Sequence, residues 1–133
     1  MLELQTDFYC LELYHDKILF VRYKDKSKIN KEIALQLIED IKKVVGERSY
    51  FSIVDLRDVF GVMTPEAKAI AANHPFYNKY REAEAILVNS FPMKMLVKLY
   101  LNKESPSSPS NSFTKLDAAL KWFTTFDENL ELV

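Results

Sequence analysis

The sequence predicts an α/β sandwich, in which a central, mostly parallel sheet carries an N-terminal antiparallel hairpin and about four flanking helices. The chain has 133 residues, which is the length of one domain, so residues 1–133 are predicted to form a single domain. Two apolar segments separated only by a short polar turn open the chain and favour a hairpin. Helical and strand patterns alternate after it, which is typical of parallel strands joined by crossover helices.

The hairpin is predicted from alternating residues on both sides of a turn. Phe8–Tyr14 reads as the first strand and Ile18–Tyr23 as the second, with His15–Lys17 between them. The polar segment Lys24–Lys28 then leads away from the sheet. One face of the first strand is predicted to be apolar and is formed by Tyr9, Leu11 and Leu13.

A helix and a buried strand are predicted next. Asn30 has the side chain of an N-cap and Glu32 places an acid in the first turn. Apolar residues follow at three- and four-residue spacing, and Gly46 marks the end of the helix. The apolar run Tyr50–Leu56 then predicts a buried central strand.

A second helix is predicted to begin after the loop that follows the central strand. Thr64 supplies an N-cap hydroxyl, Pro65 suits the first helical position and Glu66 adds an acid. This helix should break near His74 and Pro75, because proline disfavours helical backbone before it.

The last third of the chain predicts two more strands and two more helices. Ala85–Val88 reads as a buried strand, and Ser90 as the cap of the next helix. Residues 104–112 are rich in serine and proline and predict a mobile loop. Phe113 is expected in a short edge strand, with Thr114 capping the final helix.

Composition argues against several classes of function. The formal net charge of −1 provides no basic field for nucleic acid, and no apolar run is long enough to span a bilayer. One cysteine and two histidines offer no metal-ligand cluster, and the two glycines cannot form a phosphate-binding loop. No cofactor or metal is therefore expected. The acidic N-terminus lacks the features of a secretory signal, which predicts a cytoplasmic location.

The best candidate site follows the central strand. Ligands of open α/β sheets gather beyond the carboxyl ends of strands, where Asp55, Arg57 and Asp58 lie in this sequence. Two interpretations remain open for these residues: a ligand or interaction loop that extends to Thr64 and Glu66, or a structural salt bridge between Arg57 and an aspartate. Thr64 is likewise both a predicted helix cap and a candidate phosphoacceptor.

Two sequence blocks resemble those of a known family. The first runs from Asp55-Leu56-Arg57-Asp58 to Met63-Thr64-Pro65-Glu66-Ala67, and the second is Phe113-Thr114 followed by Asp117-Ala118-Ala119-Leu120-Lys121-Trp122-Phe123. Together they make the chain similar to the SpoIIAA-like, or STAS-like, domain family. The resemblance implies a small non-enzymatic α/β module related to anti-sigma-factor antagonists. It also implies a phosphorylation switch at the position of Thr64, where the antagonists carry an Asp-Ser-Ser-Gly run.

These observations lead to a first hypothesis and one alternative, and they argue against a third option, an enzyme. The first is a non-catalytic bacterial interaction module that binds a protein partner through Arg57–Glu66. The alternative is a carrier of a small apolar or lipid-like ligand, comparable with SEC14-type domains, which predicts an apolar pocket of about 300 Å³ or more. An enzyme is not expected, because Asp55 or Asp58 would need an orienting partner that the sequence does not supply. The exposed hairpin edge is a candidate for pairing with a second copy.

Overall fold

The computed structural model describes residues 2–131 and confirms the predicted fold class. Six strands form one sheet in the order β1-β2-β3-β5-β7-β8, and β4 and β6 form a separate two-stranded ribbon. Pairs β1–β2 and β2–β3 are antiparallel, whereas β3–β5, β5–β7 and β7–β8 are parallel. The elements in chain order are β1 (Leu2–Gln5), β2 (Tyr9–Tyr14), β3 (Ile18–Tyr23), β4 (Lys28–Ile29), α1 (Lys31–Val45), β5 (Tyr50–Asp55), β6 (Val62–Met63), α2 (Pro65–Asn73), α3 (Pro75–Tyr80), β7 (Arg81–Leu87), α4 (Phe91–Glu104), β8 (Ser110–Phe113) and α5 (Leu116–Thr124).

The helix boundaries follow the predicted caps in three cases. The side chains of Asn30, Thr64 and Ser90 accept hydrogen bonds from backbone N–H groups in the first turns of α1, α2 and α4, at 2.9, 3.2 and 3.3 Å. Gly46 ends α1 with φ of 69°, a left-handed conformation that costs glycine little. The predicted break at His74 and Pro75 separates α2 from α3.

Two details of the C-terminal third were predicted wrongly. The loop expected over residues 104–112 ends earlier, because β8 begins at Ser110 and pairs in parallel with β7. Serine and asparagine have low strand propensity, and pairing with the buried strand β7 overrides it. Thr114 is not the cap of α5, since the N-cap position falls on Lys115 and no side chain caps that end.

The N-terminal edge of the sheet also differs from the prediction. Strand β1 pairs with β2 from Leu2↔Leu13 to Gln5↔Cys10, so the hairpin does not present a free edge on that side. The edge available to a second copy of the chain is β1 itself. Dimer formation therefore stays a prediction, at a different strand from the one expected.

The sheet separates two apolar layers. On one face, α1 and α3 cover the apolar sides of β2 and β3, including Tyr9, Leu11 and Leu13, which confirms the predicted face of β2. On the other face, α5 packs against β5 and β7, and Phe123 contacts the ring of Phe51 at a centroid distance of 4.9 Å. Helix α4 packs beside the carboxyl ends of β5 and β7 through Met93 and Val97.

Candidate functional site

The connection between β5 and α2, residues 56–64, crosses the carboxyl end of the sheet and is held against the segment before α1. Val62 N donates to the carbonyl of Ser27 at 3.1 Å, and the ribbon of β4 and β6 continues this contact. Gly61 is required at this crossing, because a Cβ atom there would lie 2.8 Å from the Ser27 carbonyl oxygen. The predicted candidate loop is therefore a fixed structural element.

Asp55 is the centre of a charged network at the end of β5. Its carboxylate accepts three hydrogen bonds from Arg57, one from the backbone and two from the guanidinium, each 3.0 Å long, and one of 3.3 Å from Arg22. Burial alone would raise the pKa of Asp55, but the hydrogen bonds and charge of Arg57 outweigh it and hold that pKa below its ordinary value. The structure thus contains the salt bridge that was one of the two predicted interpretations.

Asp58 connects two loops at the same edge of the sheet. Its backbone is left-handed, with φ of 63°. Its N–H donates to Asn89 Oδ1 at 3.1 Å, and Asn89 Nδ2 donates to its carboxylate at 2.9 Å. This two-point contact joins the loop after β5 to the loop after β7.

Thr64 and Glu66 lie at the start of α2. The Thr64 hydroxyl caps the helix by accepting from Ala67 N, and its own N–H donates to the carbonyl of Ile29 at 3.0 Å. Thr64 is half-buried and Glu66 is exposed. A phosphate on Thr64 would lie at the positive end of the α2 dipole.

The five predicted site residues do not line one common site. A groove and a cavity lie on opposite sides of the sheet, and of the five only Asp55 lines either of them. Asp55 faces the α5 side, where it lines a groove of about 320 Å³ together with Glu12, Arg22 and other residues of the hairpin. On the opposite side, the apolar residues of the same connection, Val59 and Val62 among them, line a second cavity. None of the five predicted residues lines this second cavity.

The second cavity, called here the α2–α4 cavity, has a volume of about 230 Å³. It lies between α2, α4, the carboxyl halves of β5 and β7, and the connection of residues 56–64. Its volume is below the roughly 300 Å³ expected for an apolar ligand carrier. Its wall is mainly apolar and includes Ile29, Val54, Leu56, Val59, Val62, Met63, Ala71, Ile86, Met93, Leu96, Val97 and Tyr100, with Lys24, Lys68 and Glu84 as charged members.

A buried ion pair that the sequence reasoning missed lies beside this cavity. Arg81 and Glu84 are each 5% exposed, and Arg81 Nη1 donates to Glu84 Oε2 at 3.1 Å. Arg81 also donates to Ser108 Oγ and to the carbonyl of Ala72, and its guanidinium stacks 4.3 Å from the ring centre of Tyr77. The contacts of Arg81 therefore join the start of β7 to α2, to α3 and to the segment before β8.

Glu84 is only half satisfied by this arrangement. Within residues 2–131, its Oε1 atom has no hydrogen-bond partner, although it is fully buried. Burial raises the pKa of Glu84, and the positive charge of Arg81 offsets only part of that effect. A signal for this pair was present in the sequence, since two ionisable residues three positions apart precede the apolar run Ala85–Val88. The β5–β7 register shifts between Tyr50 and Phe51, beside Arg81, and the sequence pattern does not reveal this irregularity.

Exposed large hydrophobic side chains lie on α4 and on the connection that lines the α2–α4 cavity. Leu96 and Val62 line the cavity and are also 43% and 53% exposed, so they lie where it opens. Further exposed large side chains belong to the same connection and the same helix. This surface, called here the α4 patch, consists of Phe60, Val62, Phe91, Met95, Leu96 and Leu99.

Residues 2–131 offer neither a cluster of metal-binding side chains nor a helix that could span a membrane. No group of three or more His, Cys, Asp or Glu side chains is arranged to hold a metal ion. None of the helices in this part of the chain combines the length and apolar composition needed to cross a membrane.

The geometry defines a SpoIIAA-like α/β module, and comparison with solved structures agrees. An uncharacterised protein of the DUF3478 family from Shewanella loihica PV-4, described as having a SpoIIAA-like fold, superposes with a TM-score of 0.57 at 13% sequence identity, covering 90% of this chain and 98% of that one. The chain belongs to the family described as domain of unknown function DUF7793, which matches residues 11–127. No curated protein matches the sequence. The predicted SpoIIAA-like fold is thus confirmed.

Proposed function

We propose that this protein is a non-catalytic, STAS-like interaction module whose protein partner binds at the α4 patch. The observation that carries the proposal is the exposure of six large hydrophobic side chains on α4 and on the connection before α2, two of which, Val62 and Leu96, also line the cavity. Scattered exposed hydrophobic residues are ordinary, whereas a contiguous patch of them is typical of a binding surface. The absence of catalysis is part of the proposal, and it is supported by the engagement of Asp55 with two arginines, which makes that carboxylate a weak base.

The spacing of the residues in α4 supports a continuous surface. Phe91, Met95 and Leu99 follow one another at intervals of four and therefore lie along one side of the helix. Met93 and Val97 face inward and are buried, so the exposed stripe is not needed to hold α4 in place. Leu96, on the same helix, lines the cavity together with Val62.

Charges beside the patch indicate the chemistry of the partner. Lys94, Lys98 and Lys103 are exposed on α4, and Lys24 lies near the cavity mouth. Protein interfaces commonly combine an apolar centre with a charged rim. The partner is therefore proposed to present an apolar surface bordered by acidic side chains, which would also accelerate association at low salt.

Replacing Leu99 by glutamine is expected to weaken partner binding about tenfold, because Leu99 is 61% exposed on the patch and does not line the cavity. Leucine and glutamine have similar helix propensity, so the fold should be unaffected. Binding is measured by quantitative capture of the partner from the cells that make the protein, followed by titration.

Leu35→Gln is the matched control for this experiment. Leu35 is also an exposed helical leucine, 37% accessible, but it lies on α1, a helix that contributes no residue to the patch. The control variant should bind the partner with the affinity of the unmodified protein. Equal binding by the Leu99→Gln variant and by the unmodified protein would refute the proposed surface.

The proposal also includes a phosphorylation switch at Thr64. Thr64 directly follows β6, which carries Val62 of the patch, so a phosphate there would add negative charge beside the binding surface. A partner with acidic side chains at its rim would be repelled.

Thr64→Asp is expected to reduce partner affinity at least about fivefold while keeping α2 capped, because aspartate is also a good N-cap. Thr64→Ala should bind normally but lose about 1 kcal/mol of stability with the cap. The two variants are compared by titration with the partner and by urea unfolding. If both bind equally well, Thr64 is a structural cap and not a switch.

The α2–α4 cavity favours a second function, the carriage of a small apolar ligand. Its mainly apolar wall suits such a molecule, and its opening lies beyond the carboxyl ends of β5 and β7, where α/β folds commonly bind ligands. A volume of about 230 Å³ favours a compact ligand over a long lipid chain.

A further inference from the structure

We infer that the α2–α4 cavity binds a small, uncharged, mainly apolar molecule that donates one hydrogen bond to Glu84 Oε1. The inference rests on the second proposed function, ligand carriage, and adds the chemical class of the ligand and the residue that recognises it. It does not depend on the binding of a protein at the α4 patch.

The geometry of Glu84 is the main evidence. Glu84 belongs to the cavity wall, whereas Arg81, which holds Oε2, does not. Oε1 is the carboxylate oxygen that Arg81 does not hold, and it has no hydrogen-bond partner within residues 2–131. A buried hydrogen-bond acceptor without a partner destabilises the fold. A ligand that supplies an O–H or N–H group at this point therefore gains more binding free energy from its hydrogen bond than it would on the surface.

The charges around the cavity explain why the ligand is expected to be neutral. Arg81 and Glu84 together carry no net charge, so a cationic ligand would leave an uncompensated positive charge next to them. Lys24 and Lys68, which also line the cavity, would repel a cation further. An uncharged hydroxyl or ring N–H satisfies Oε1 without this cost.

The size of the cavity sets the size of the ligand. An apolar cavity of about 150 Å³ holds one benzene ring. The α2–α4 cavity, at about 230 Å³, has room for a compact bicyclic ring. Indole has this size and one N–H donor, and indene is an isostere of similar size without the donor.

The test compares these two probes by isothermal titration with the full chain. Indole is expected to bind about tenfold or more tightly than indene, because the hydrogen bond to a buried carboxylate is available only to indole. Binding of indole but not of indene supports the inference. Equal binding of the two would leave the carrier function standing and overturn recognition by Glu84, whereas binding of neither would overturn both.

Two variants locate the probe in the cavity. Ala71→Leu fills space from the α2 side of the cavity and is expected to abolish binding of indole. Glu84→Gln keeps an oxygen for Arg81 and places an NH₂ group, which is a donor, at the position of Oε1, so the preference for indole over indene should disappear. Thermal unfolding first establishes that both variants are folded. Unchanged indole binding by the folded Ala71→Leu variant, or an unchanged preference in Glu84→Gln, would refute the assigned site.

Discussion

Replacing Arg81 by methionine is expected to destabilise the protein by about 3–5 kcal/mol, because it leaves the Glu84 carboxylate buried without its cation. The Arg81 side chain is 2% accessible and donates to Glu84, Ser108 and the Ala72 carbonyl, so no solvent is available to replace these contacts. The loss would be measured by urea unfolding at neutral pH.

The double variant Arg81→Met/Glu84→Met is expected to recover most of that stability. Removing both charges leaves no buried ion, and methionine fills a similar volume. A double variant that is less stable than Arg81→Met alone would show that the unpaired Glu84 carboxylate is not the cause of the loss.

The pH dependence of the Arg81→Met variant gives an independent check. Burial raises the folded-state pKa of Glu84 above its ordinary value of 4.5, and loss of Arg81 removes the charge that opposes this shift. A group with a raised folded pKa contributes stability below its unfolded pKa, and this contribution is lost as pH rises through the folded value. The variant should therefore regain stability as pH falls toward 4.5, and a variant whose deficit is independent of pH would contradict this explanation.

Replacing Phe123 by alanine is expected to cost about 3–5 kcal/mol, because its ring is fully buried under the sheet. Phe123 packs on Phe51 and beside Trp122. These rings belong to the apolar cluster through which α5 packs against β5 and β7. Thermal and urea unfolding would measure the loss.

Phe126→Ala provides the matched control for this substitution. Phe126 is close in sequence and also contacts Phe51 and Trp122, but it is 45% exposed. Its replacement should cost much less than that of Phe123. Similar losses at the two positions would mean that α5 is not anchored in the way described.

The sequence predicted the elements that have a local signal. Asn30, Thr64 and Ser90 cap helices because their side chains bond to nearby backbone groups, an interaction that depends on few residues. The alternation in β2 predicted its buried face correctly. Strand β8 could not be predicted in the same way, since its Ser-Asn-Ser sequence forms a strand only through its pairing with β7.

The candidate site was predicted only in part, for a similar reason. The connection after β5 was identified from its position at the end of a buried strand, and it does lie over a cavity. The polar residues chosen there are instead occupied in structural contacts, Asp55 with Arg57 and Asp58 with Asn89. Glu84 was missed because its burial results from tertiary packing that brings α2, α4 and β7 together.

The most direct test of the proposed interaction module is a hydrogen-exchange footprint of the captured partner on the full chain. Slower amide exchange is expected in residues 59–63 and along α4, with no change on the hairpin strands β2 and β3. A footprint on the hairpin or on α5, with residues 59–63 and α4 unaffected, would contradict the assignment of the α4 patch as the binding surface.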